Sequence, residues 1–127
     1  MTPENNIVNL SEYRNQHRNP EQLLEHLGRL VARLSGTRLS LALIDFCLGP
    51  SLHTREEIES LAGNAKLTAE EQKVFILEIV DGKKMSEIVL EASYSQGRVQ
   101  NFKRTAIDAL YRYALELAAQ NKGYIPW

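Results

Sequence analysis

Cysteine is nearly missing from this 127-residue chain: Cys47 stands alone. An internal disulfide is therefore impossible, the fold must be held by packing, and a reducing cytoplasm is the compartment that fits. No charged-then-apolar leader with a cleavage site is legible at the start, in keeping with that expectation. A basic excess is also lacking. The net charge is -1 and the pI near 6.3, which excludes a protein that coats nucleic acid through an overall positive field and confines any DNA contact to a local patch. Long apolar runs are absent too. The longest, Leu39 to Leu48, falls well short of the roughly 18 residues a membrane helix needs and contains Asp45, so it reads as a buried helix and no membrane partner is expected. No segment alternates with a period of two and no repeat recurs, which argues against a sheet, a solenoid or a propeller.

Enzyme chemistry is equally thin. His17, His26 and His53 are far apart and form no metal-ligand spacing with Cys47, which lies in the most apolar run and reads as an inert core thiol. Neither a nucleophile elbow nor a phosphate-cradling glycine loop appears. The expectation is no enzyme, no cofactor and no metal.

What the chain does have is 43% hydrophobic residues spaced for helices and punctuated by caps. Residues 1–18, polar with scattered Ile7, Val8, Leu10 and Tyr13, read as an arm. Asn19, Pro20 and Gln22 open a helix whose apolar stripe runs Leu23, Leu24, Leu27, Leu30, Val31 and Leu34, with Gly36 as its stop. The apolar run to Leu48 makes a second, ended by Gly49 and Pro50. "TREE" from Thr54 and "LTAEE" from Leu67 are capping boxes that open a third and a fourth, stopping at Gly63 and Gly82. Met85 to Ala92 forms a fifth. After the break Ser93 to Ser95, the longest helix carries Val99, Phe102, Ala106, Leu110, Tyr113 and Leu117 at three-four spacing. The fold class is all-α with about six helices: an N-terminal three-helix part over 19–64, a helix-turn-helix with a long last helix over 65–120, and a tail over 121–127. In that tail Tyr124 and Trp127 either fold back on the body or meet a partner.

The stretch "GKKMSEIVLEASYSQGRVQNFKRTA" (residues 82–106) supplies the parts of a DNA-reading helix-turn-helix: a bracing helix, a three-residue turn and a second helix with polar side chains on its first turns. With Val99, Phe102 and Ala106 inward, Gln96, Arg98, Gln100, Asn101, Lys103 and Arg104 fall on or near the outer side. Arginine forks onto guanine edges, glutamine and asparagine pair with adenine, and lysine neutralises phosphate. From Ser95 to Tyr113 four basic residues (Arg98, Lys103, Arg104, Arg112) face one acidic residue, Asp108. The competing reading is a solvated basic face on an ordinary helical core.

Residues 67–110 resemble the C-terminal promoter-reading domain, region four, of bacterial sigma factors. Leu67, Thr68, Glu70, Glu71, Gly82, Glu87, Ile88, Ser95 and Val99 match that pattern without a gap, and "RVQNF" (residues 98–102) is similar to the primary sigma factors. The helix-turn-helix of the LuxR type has nearly the same spacing, with Gly97 and "RTAIDAL" closer to the sigma version. The resemblance implies that Ser95, Gln96, Arg98, Gln100 and Asn101 read the upstream promoter element, with Lys84 and Arg104 as phosphate contacts. Two departures stand out. Thr105 occupies the place before Ala106 where the family has a basic residue, and nothing before Leu67 resembles the helices that melt the downstream element.

The resulting expectation is a bacterial transcription regulator on double-stranded promoter DNA, not a complete sigma factor. The alternative is a protein-interaction module, an anti-sigma or RNA polymerase-binding adaptor, with the same fold and no DNA contact. The N-terminal helices enlarge the core, hold RNA polymerase or a regulator, or pair two copies. A homodimer would read two half-sites about one helical turn apart.

Overall fold

The computed structural model describes residues 19–125; the arm at 1–18, with His17, and Trp127 at the other end lie outside the described residues. Among the described residues there are six α-helices and no strand. They are α1 (Pro20–Arg33), α2 (Gly36–Leu48), α3 (Arg55–Asn64), α4 (Ala69–Ile79), α5 (Met85–Ala92) and α6 (Gln96–Ala119).

The helices begin where side chains can satisfy their first backbone amides. Asn19 with Gln22, Thr54 with Glu57 and Thr68 with Glu71 each form a reciprocal capping box. The Thr68 hydroxyl accepts from the Glu71 amide at 3.2 Å, and the Glu71 carboxylate accepts from the Thr68 amide at 2.8 Å. Two boundaries differ from the expectation. Gly63 does not stop α3, which runs one residue further to Asn64. Gly36 does not stop α1 but starts α2: the Leu34 amide closes α1 on the Leu30 carbonyl, and Gly36, at φ +58°, reverses the chain straight into the next helix. A left-handed residue is cheap only for glycine, so with Gly36 opening α2 the junction shrinks to Leu34 and Ser35.

The 24-residue α6 is the axis of the fold. Its second half contributes Ala106, Ala109, Leu110, Ala114 and Ala118 to a core shared with Leu23 and Leu27 of α1, Leu43 and Phe46 of α2, Leu61 of α3 and Phe75 of α4. Four alanines let the neighbouring helices approach the axis closely, while Leu110 and Phe46 fill the volume between them. The N-terminal helices therefore share one core with the end of α6. A second, smaller cluster forms at the other end of α6 from Val74, Ile88, Ala92 and Val99, flanked by Leu77, Met85, Tyr94 and Phe102.

After α6 the described residues to 125 fold back on the body, as one of the two sequence readings has it for Tyr124. The Tyr124 amide donates to the Phe46 carbonyl at 2.9 Å, and Gly123 lies flat against the Phe46 ring, where a Cβ would come within 2.5 Å. No helix among the described residues is long and apolar enough to cross a membrane.

Candidate nucleic-acid interface

Helix α5 is eight residues long, and the Glu87 carboxylate accepts from the Lys84 amide at 2.9 Å to fix its start. Ser93 ends it in the left-handed conformation (φ 58°, ψ 36°), which turns the chain sharply. A non-glycine residue there costs on the order of 1 kcal/mol, so packing on either side must hold the turn. Tyr94 provides that packing: its ring meets Phe102 with centroids 5.3 Å apart at 56°. Ser95 then caps α6, its hydroxyl accepting from the Arg98 amide at 3.2 Å.

Burial of Val99 against Ile88, Ala92 and Val74 fixes the rotation of α6. Gln96, Arg98, Gln100, Asn101 and Arg104 are consequently exposed, as are Lys84 and Ser95. The N-terminal helices meet the edge of this face at the start of α2. There the first turn of α2 (Ser35, Gly36) borders a cleft of about 400 Å³ with Gln100 and Arg104, floored by Leu39, Met85 and Ile107. Gln96, Arg98 and Asn101 stand clear of it.

Two of the exposed groups are held rather than free. The Arg98 guanidinium lies over the ring faces, 4.7 Å from the centroid of Tyr94 and 5.5 Å from that of Phe102, a cation–π contact that restrains the side chain. Arg104 donates to the Asn101 side-chain oxygen at 2.7 Å. Such pre-orientation lowers the entropy lost when a side chain meets a ligand.

Lys103 departs from the sequence assignment. Instead of pointing outward to phosphate, its ammonium lies 2.6 Å from Glu78 of α4, whose carboxylate also accepts from the Thr37 hydroxyl of α2 at 2.8 Å. The Glu78 side chain is only 8% exposed, so its charge needs a partner, and the turn of α6 that faces α4 carries Lys103. The triad joins α2, α4 and α6 and removes one cation from the outer face. Sequence reasoning missed Glu78 and Thr37 because they lie 25 and 66 residues from Lys103. It also missed Tyr94 as a platform, and Lys73, whose ammonium is 5.7 Å from the same ring. An aromatic residue in the turn, four positions before an arginine, was the available signal.

Among the described residues, no group of three or more His, Cys, Asp or Glu side chains is placed to hold a metal ion. Burial pushes the half-buried Cys47 thiol up to about 12, so it stays protonated at neutral pH and is no nucleophile. No protein-family model, curated protein or solved structure matches the chain.

Proposed function

We propose that this protein is a bacterial transcription regulator that binds promoter DNA by laying the first turns of α6 in the major groove, with α5 bracing it from above. The observation that carries this reading is the exposed row Gln96, Arg98, Gln100 and Asn101 at the start of a helix fixed by a three-residue turn. Arg98 would read guanine, Gln96, Gln100 and Asn101 would read adenine or bridge through water, and Ser95, Lys84 and Arg104 would hold phosphates. The similarity of residues 67–110 to sigma region four supports the same assignment. Lys103 has no part in it.

Selection of bound fragments from random duplex DNA tests the reading. A single enriched hexamer or a palindrome, bound with affinity that falls steeply with salt, is the expected result. No enrichment at 50 mM salt would reject it.

A second reading, an adaptor that keeps the fold and binds protein, has a specific observation in its favour. Residues 65–120 carry eight basic and eight acidic residues, and Lys103 and Lys83 are bound to Glu78 and Glu91. The basic and acidic residues of this part therefore balance, and a mostly apolar protein contact would change little with salt.

A further inference from the structure

Away from the α5–α6 face, the linker after α2 carries Leu52 fully exposed, beside a half-exposed Leu41 on α2. These two leucines border a groove of about 240 Å³ floored by Ile44, Ile58, Ile79 and Val80, so α2, α3 and the end of α4 all contribute to it. His53 lines the same groove. Its side chain is 7% exposed, and neither ring nitrogen makes a hydrogen bond. Nε2 lies 3.7 Å from Asp45 and Nδ1 3.8 Å from Glu57, close enough for attraction but too far for a bond. With both ring nitrogens closed off from solvent between the two carboxylates, the imidazole ties Asp45 of α2 and Glu57 of α3 to the edge of the groove.

The charge around the groove selects its partner. Asp45 lines the groove, Glu57 lies beside His53 at its edge, and Asp81, next to the lining Val80, is paired with Arg55. Asp45 and Glu57 are half-exposed, and among the described residues the basic side chain within ion-pair distance of each is His53. We propose that this groove docks a basic amphipathic segment of a partner protein. An aliphatic side chain of that segment fills the space between Leu41 and Leu52, and flanking lysines or arginines pair with Asp45 and Glu57. Opposite charges on the two surfaces both speed encounter and fix register, and the helix-in-groove mode supplies the apolar anchor. This surface uses none of the residues assigned to DNA, so it stands or falls independently of that reading.

Three fluorescein-labelled helical peptides of equal length test the proposal, with leucines at the same positions and lysine, glutamine or glutamate at the polar ones. Titrated against the full chain, the lysine peptide is expected to bind at least tenfold tighter than the glutamine peptide. It is also expected to shift the amide resonances of Leu52, His53, Ile58 and Val80. Leu52→Asp, at a fully exposed position that leaves folding intact, and the pair Asp45→Asn with Glu57→Gln are each expected to weaken it tenfold or more. Arg98→Ala should leave it unchanged. Equal affinity for the lysine and glutamine peptides, or shifts confined to other helices, would overturn the proposal. So would sedimentation as a dimer that Leu52→Asp dissociates, since the groove would then hold a second copy.

Discussion

The two halves of α6 show how one helix serves two purposes. Its first half, from Gln96 to about Arg104, turns Val99 and Phe102 onto a small cluster and Lys103 onto Glu78, and leaves its other polar side chains in solvent. Its second half is threaded through the main core and surrounded by α1, α2 and α4. The exposed side chains stand on a rigid frame supplied by the half of the helix packed into the main core. The same division separates chemistry. The exposed half is basic, while the far side of the α2–α4 layer, around His53, is acidic and apolar.

Removal of Leu110 should have the largest effect. This side chain is fully buried at the centre of the shared core, and Leu110→Ala is expected to cost about 3 to 4 kcal/mol and lower both halves together in a thermal melt. Val99→Ala, in the small cluster, is expected to cost about half as much. Its hydrogen-exchange signature should be earlier opening of α5, with α1 to α3 still protected. If both variants opened every helix equally, the two clusters would act as one.

Lys103→Met comes next. It leaves the buried Glu78 carboxylate without its cation, at a cost of about 3 kcal/mol, reduced somewhat by the Thr37 hydroxyl that remains. Adding Glu78→Leu should restore much of the loss, as measured by urea unfolding. If Lys103 instead served phosphate, Lys103→Met would change DNA affinity and leave stability alone.

Arg98→Ala should barely move the melting temperature, because the side chain is exposed. Specific DNA affinity should fall about 10- to 100-fold, the 1 to 3 kcal/mol of a bidentate base contact, with discrimination lost at one position. An unchanged base preference would remove Arg98 from the readout.

The smallest effect is on the acid side. Hydrogen bonds from the Thr54 amide and hydroxyl, with a lesser contribution from His53, hold Glu57 below the ordinary carboxylate value of 4.5. Glu71 is also lowered: burial pushes it up, but hydrogen bonds from Thr105 and Thr68 and the charge of Arg112 outweigh that. Both groups bind fewer protons folded than unfolded near their ordinary value. Their contribution is therefore complete above 4.5 and is lost as pH falls through the lowered folded values. Urea midpoints should decline on that side, less steeply in Thr54→Ala.

Much of this fold was legible because its signals are local. A capping box spans four residues, so Asn19, Thr54 and Thr68 announced their helices directly, and the Ser95 cap with Val99 four positions on set the exposed face of α6. The α1–α2 junction was not legible. A glycine after a helix reads as a stop, and only the backbone shows that Gly36 is also the next beginning. Lys103 was misplaced for a similar reason. Helical spacing says which side of a helix a residue occupies, but not that Glu78 waits on the neighbouring one. The groove was hidden more deeply, since Leu41, His53, Ile58 and Val80 come from different segments and none shows a pattern of its own.

The continuity of α6 has a mechanical corollary. At 1.5 Å per residue it is a rod of about 36 Å, with no proline and no glycine after Gly97 to absorb bending. Repacking of α1 or α2 that tilts the buried end by about 5° would swing the other end by roughly 3 Å, more than half a helical turn's rise. A protein built this way can be adjusted at its tip by a hand placed on its handle.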